Sequence, residues 1–196
     1  MTSVVDICNS ALNKIGASNI AALSEDSKAG RLCNQRFDFI RDALFRSHPW
    51  NCLTQRVTIA PDTAAPEFEF TKKFTLPTDP FCLRVLGLSN PNIIYRIEGR
   101  KLICNESSIE MLYVGREIDV NKYDTLLVET LAVLLAADIA YTIVGSSTLA
   151  ENLKAQAKEV LSGARFVDAS EDNAINTNVL ADSRVLAADT FISSRF

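Results

Sequence analysis

One histidine, one tryptophan, seven glycines and no Cys-x-x-Cys pair occur in 196 residues, and each scarcity closes off a kind of chemistry. Seven glycines supply no Gly-rich loop of the sort that cradles phosphate. A Ser/His or Cys/His nucleophile would have to use His48, which stands beside Pro49 at a helix end, where capping the helix is the expected role. Cys8, Cys33, Cys52, Cys82 and Cys104 lie 19 to 30 residues apart. That spacing argues against a thiolate metal site and for reduced, buried thiols, so no metal and no cofactor are expected. An excess of base is also missing: the net charge is −4 and the pI about 5.1, without the footprint of a sequence-reading nucleic-acid binder. Arg31, Arg36, Arg41 and Arg46 recur every five residues, a step of about 140° net on a helix, so they spread around it as local ion pairs. No basic-then-apolar leader opens the chain, because Met1–Gly16 alternates at helical spacing. The expectation is a protein made and kept in a cytoplasm.

What is present is an ordinary globular balance of 47% hydrophobic and 22% charged residues. The longest apolar stretch runs from Tyr123 to Gly145. Its two acids, Glu129 and Asp138, fall about 180° apart at 100° per residue, so it has no single polar face. A buried central helix is expected, with Ala132, Val133, Ala136 and Ala140 on one side and Leu127, Leu131, Leu134 and Leu135 on the other. Two acids and the absence of basic clusters at both ends set aside a membrane span. Asp138 lies on the leucine side, where an unpartnered carboxylate is costly. An arginine from the second helix is the expected partner.

Ser3 and Asp6 form an S-x-x-D start and Gly16 a stop for a first helix striped by Val4, Ile7, Cys8, Ala11, Leu12 and Ile15. A second runs from about Ser27 to Ser47, ended by Pro49. The period then changes to two. Strands are expected over Cys52–Ala60, Phe68–Leu76, Leu83–Leu88, Ile93–Ile97, Lys101–Cys104 and Ile109–Val114, with Pro61–Pro66 an exposed loop. Glu98-Gly99-Arg100 has the composition of a tight hairpin turn. A third helix spans about Lys122–Gly145, and Thr148 with Glu151 opens a fourth to about Val167. The fold class is α+β: an antiparallel four-helix bundle from both chain ends (1–49 and 119–170), a small antiparallel β-rich insertion (50–118) and an extended C-terminal arm (171–196).

This order, with Phe37–Asn51 (FDFIRDALFRSHPWN), Phe74–Val85 (FTLPTDPFCLRV), Tyr95–Asn105 (YRIEGRKLICN) and the Leu/Ala-rich helix entered through Asp119–Asp124, resembles the tail tubular protein A family. Those are the head-to-tail adaptor proteins of short-tailed bacteriophages and related prophages, and the resemblance spans roughly residues 1 to 170. It implies a virion protein without catalytic activity, made in the host bacterial cytoplasm. It also implies a ring, usually of twelve copies, seated in the viral tail at the head–tail junction. That ring would sit between the portal protein and a tail nozzle protein of the tail tubular protein B type, around the channel that genomic DNA crosses on ejection. The sequence departs from the family pattern at Cys52, where an aromatic commonly follows Trp-Asn, and after Ala174, where only Phe191–Arg195 is similar.

Candidate residues are therefore structural. Trp50, next to Pro49, is expected to anchor the helical and β parts to one another, and Asp138 to pair across the core. Val185, Leu186, Phe191, Ile192, Arg195 and Phe196 fall in a stretch, Asn173–Phe196, too apolar to be purely solvated and too short to make its own core. It is expected to be an assembly arm. The alternative is a virion-associated lytic hydrolase acting on cell wall or capsule polysaccharide through paired carboxylates, with Glu67 and Glu69, or Glu25 and Asp26, as neighbours.

Overall fold

A computed structural model describes residues 2–171. Among them the elements are α1 (Val4–Lys14), α2 (Lys28–Ser47), a 3-10 turn (Asn51–Leu53), β1 (Thr54–Ile59), β2 (Lys72–Thr75), β3 (Cys82–Leu88), β4 (Arg96–Glu98), β5 (Lys101–Cys104), β6 (Ile109–Gly115), α3 (Thr125–Val144) and α4 (Ser147–Ser170). Helices and sheets are mixed without alternation, so the class is α+β. Two compact units result: Met1–Leu53 with Arg116–Ala169, and a second built on Thr54–Gly115. The insertion is narrower than the expected 50–118. Trp50 to Leu53 and Arg116 to Ile118 belong with the helices.

In the helical unit the ends of each helix follow from local chemistry. Ser3 and Asp6 form a complete capping box on α1, and the Ser27 hydroxyl accepts from the Gly30 N–H on α2. Asp124 accepts from Leu126 and Leu127 N–H groups to start α3, which stops at Gly145 in the left-handed region, φ 77°. The start expected at Thr148 lies elsewhere: Ser146 accepts from the Leu149 N–H and takes the cap. Helix α3 is long and apolar enough to cross a membrane by length and composition, and it packs against α1 and α2. Both of its sides are used, with Leu127, Leu131 and Leu135 as buried as Ala132, Val133, Ala136 and Ala140. Helix α4 turns Ala150, Leu153, Ala157, Ala164 and Asp168 inward.

The β unit holds two three-stranded antiparallel sheets, ordered β1-β6-β3 and β2-β5-β4. Phe74, Leu102, Cys82, Ile109, Met111 and Tyr113 form one cluster drawn from both. Three strands are shorter than their apolar runs. The 3-10 turn takes Cys52 and Leu53 from β1. Glu69, at φ 70°, breaks the run from Phe68, so β2 begins at Lys72. Strand β4 begins at Arg96, after Ile93–Tyr95. Gly99, at φ 58°, makes the β4–β5 turn. Beside it the Arg100 guanidinium stacks 3.9 Å over Phe81 and donates to the Cys82 and Pro77 carbonyls at 2.6 Å each.

Candidate functional site

The expected anchors gather at the C-terminal end of α2. Pro49 stops the helix and leaves carbonyls without intrahelical donors. The Leu44 carbonyl accepts from both the Ser47 hydroxyl at 2.7 Å and the Trp50 indole N–H at 3.1 Å. Trp50 is completely buried. It belongs to the helical unit, where its polar end caps α2 and its ring meets the His48 ring edge-on, 4.7 Å between centroids.

His48 has a different partner from the one expected. Its backbone is extended, and its Nε2 lies 3.0 Å from the Asp168 Oδ2 on α4. The other oxygen of Asp168 accepts from the Asn51 N–H at 3.1 Å, and the Asn51 side-chain amide donates to the Asp168 carbonyl at 2.8 Å. Arg165, one turn earlier, donates to the Ser47 carbonyl at 3.4 Å. Asp168 is thus the hub that ties α4 to the α2 end, and sequence reasoning missed it. Its only signal was an acid on the inner stripe of α4, in register with Leu153, Ala157 and Ala164.

Asp138 is met by Arg36 of α2, two bonds at 2.7 and 3.0 Å. The pair is a bidentate fork, and it stands in partial contact with solvent, its side chains 42% and 34% exposed. A second cross-helix pair joins Lys14 to Glu129 at 2.6 Å. Arg41, buried, is flanked by Asp38 and Asp42, and Asp42 also receives Arg116. Val185, Leu186, Phe191, Ile192, Arg195 and Phe196 lie outside the described residues.

Of the four carboxylates that carry the hydrolase alternative, Glu25, Asp26 and Glu69 have partners of their own. The Ser47 hydroxyl donates to a carbonyl, and the Cys52 thiol is pushed up by burial, opposite to what a nucleophile needs. Cys8 and Cys33 are buried and hydrogen-bonded to each other, which holds the Cys8 proton in place. Glu69 pairs with Arg96 at 3.0 Å, Asp26 with Arg31, and Glu25 accepts from the Ala21 N–H at 2.8 Å. Among the described residues no group of three or more His, Cys, Asp or Glu side chains could hold a metal ion. No protein-family model and no curated protein matches the chain.

Proposed function

We propose that this chain is a structural virion protein: an adaptor ring between portal and tail nozzle that lines the DNA ejection channel and closes the head–tail junction. The observation that carries the reading is the placement of the β unit. It is inserted between α2 and α3 in a helical unit made from both ends of the chain, the same order in which the adaptor-like motifs occur. The side chains with chemical potential support it too, since they are spent on joining elements. Trp50 caps α2, His48 and Asp168 join α2 to α4, and Arg36 and Asp138 join α2 to α3. In this reading α4 completes an antiparallel four-helix bundle with α1, α2 and α3. Twelve copies close the ring, DNA passes without base recognition, and residues 171–196 act as the assembly arm toward the portal. The protein works in the virion after synthesis in the host bacterial cytoplasm.

The test is to add purified portal protein to the isolated chain and measure mass while imaging by negative stain. A ring of about twelve copies on the portal is the expected result. A chain that stays free of portal at micromolar concentration, or that degrades peptidoglycan or capsule, overturns the reading. A monomer in the absence of portal does not, because the portal supplies the surface on which such a ring closes.

A further inference from the structure

Two of the five cysteines meet inside the helical unit. Cys8 lies midway along α1, on the inner stripe with Ile7, Ala11 and Leu12, and Cys33 lies in the second turn of α2, between Gly30 and Phe37 on its inner side. Both residues are 0% exposed, and their thiols share a hydrogen bond. The backbones of the two helices come within 8 Å of each other. Ala11, three residues after Cys8, and Gly30, three before Cys33, are buried as well, and side chains this small allow helices to approach closely.

A solitary buried cysteine packs as a small hydrophobe. Two sulfurs in contact can do more, because each is the partner the other needs for a disulfide. That bond sets its sulfurs about 2.05 Å apart between Cα atoms about 4.4–6.8 Å apart, so closing it from a hydrogen-bonded pair takes side-chain rotation and a small shift of α1 on α2. The hydrogen bond also makes the two sulfurs unequal. Donated by the Cys8 thiol to Cys33, it raises the Cys8 thiol and lowers that of Cys33, and the thiolate is the nucleophilic form. At Cys52 and Cys104 burial is the leading influence, and it pushes both thiols up.

We propose that Cys8 and Cys33 are a redox site that hydrogen peroxide converts to a disulfide, stapling α1 to α2. Both sulfurs are buried, so the peroxide reaches them as α1 opens locally. The Cys33 thiolate attacks one peroxide oxygen and the O–O bond breaks. Cys33 becomes a sulfenic acid, and the hydroxide that leaves takes up the proton Cys33 gave away and departs as water. The Cys8 sulfur then attacks the Cys33 sulfur: the S–S bond forms, the S–O bond breaks, and the second hydroxide leaves as water with the Cys8 proton. Two electrons pass from the sulfurs to the peroxide. The new bond closes a loop of 26 residues, 8–33, and narrows the unfolded ensemble, so the helical unit is more stable oxidised than reduced. In reducing surroundings the pair stays open. This goes beyond the ring reading and does not depend on it, since the bond is a property of the isolated chain.

Peptide mass reads the bond directly, after native full-length protein is exposed to hydrogen peroxide, its remaining thiols are blocked and it is digested with trypsin without reductant. The peptides Met1–Lys14 and Leu32–Arg36 are expected joined, two hydrogens lighter than their sum, in at least tenfold excess over any other cysteine pairing. The linked protein is expected to melt at least about 5 °C above the dithiol, and dithiothreitol is expected to reverse the shift. In Cys8→Ala, Cys33 should accumulate as a sulfenic acid trapped by dimedone, whereas in Cys33→Ala, Cys8 should take less than a tenth of that label. A wild type without the joined peptides overturns the proposal, as does a predominance of another pairing or a link that forms between chains. Linked protein that melts no higher than the dithiol overturns the staple, and equal labelling of the two cysteines overturns the order of attack. The wild-type outcomes decide the proposal even where an alanine variant fails to fold.

Discussion

The two units solve the same problem with chain segments of opposite reach. The β unit closes within one run, Thr54–Gly115: hairpin neighbours β4 and β5 pair directly, and β6 returns between β1 and β3. The helical unit closes only when the two ends of the chain meet, since α1 and α2 pack on α3 across the 77 residues that lie between Ser47 and Thr125. Long-range closure carries a larger entropic cost before any contact rewards it. The helical unit offsets it with a largely apolar α3 and with polar ties that cross helices. The β unit uses polar groups differently, to hold turns and strand ends, as Arg100 does at three carbonyls and Lys101 does with Asp62. The difference predicts where single substitutions hurt and how far the damage spreads.

The largest effect belongs to Trp50. Its ring is completely buried and its N–H caps α2, so Trp50→Ala removes packing and leaves a carbonyl with one donor fewer. A loss of about 3–5 kcal/mol is expected. Hydrogen exchange resolved by mass spectrometry checks where it falls. Exchange should rise throughout α1, α2 and α3 and stay near wild type in β5 and β6. Equal loosening of both units breaks the comparison, and unchanged melting removes the anchor role.

Next comes Asp168. Asp168→Ala leaves His48 and the Asn51 N–H without their acceptor at a buried site, at a cost of about 2–3 kcal/mol. Exchange at the last two turns of α4 should rise before that of α3. A variant whose α4 stays protected means that Ala150, Leu153 and Ala157 suffice to hold the helix.

Arg100 gives the matching experiment in the β unit. Arg100→Ala withdraws charged donors from Cys82, Leu76 and Pro77 and uncovers Phe81. About 1–2 kcal/mol is expected, confined to the β2–β5 region and invisible in the helices. Spread of the effect into α3 would show the units to be one cooperative structure.

Tyr123 adds a pH dependence that should be confined to the helical unit. Burial pushes its phenol up to about 12, from about 10 in an unfolded chain. The neutral form is the one the fold favours, so the stability this group contributes is fully present below pH 10 and is lost as pH rises toward 12. Its hydroxyl donates to the Glu117 carbonyl at 2.7 Å. Tyr123→Phe should therefore flatten the alkaline fall in melting temperature. An unchanged slope would assign the fall to other groups.

Much of this was legible because it is local. Ser3 with Asp6, Ser27, Asp124, Gly99 and Gly145 announce their turns and caps in sequence, and a twenty-residue helix with acids on opposite sides has to be buried. The polar ties were legible only where a charge violated its apolar surroundings, as Asp138 does. Asp168 sits on a stripe of alanines and leucines in a helix that carries ordinary charges, and its partners lie about 120 residues earlier. Only the folded chain brings them to one place. Strand starts were misjudged for a related reason: the backbone at Glu69 and the 3-10 turn at Asn51–Leu53 override β-branched and aromatic composition, and neither leaves a mark in periodicity.

The smallest effect is expected where the sequence pointed most firmly. Arg36 and Asp138 form a bidentate fork, yet both side chains reach solvent, and water screens much of what their geometry gains. An exposed pair contributes about 0–1 kcal/mol, less as salt rises, whereas the Asp168 side chain, 9% exposed, makes its bonds largely shielded from water. Asp138→Asn should therefore lower stability by under about 1 kcal/mol, with the difference shrinking between 50 and 500 mM salt. Asp168→Asn should cost more at both salt concentrations. Melting curves for the two substitutions at both salts decide the point. If Asp138→Asn proves the more damaging and insensitive to salt, the fork is a principal tie between α2 and α3. The helical unit would then depend on its surface charges as much as on the buried hub at the end of α4.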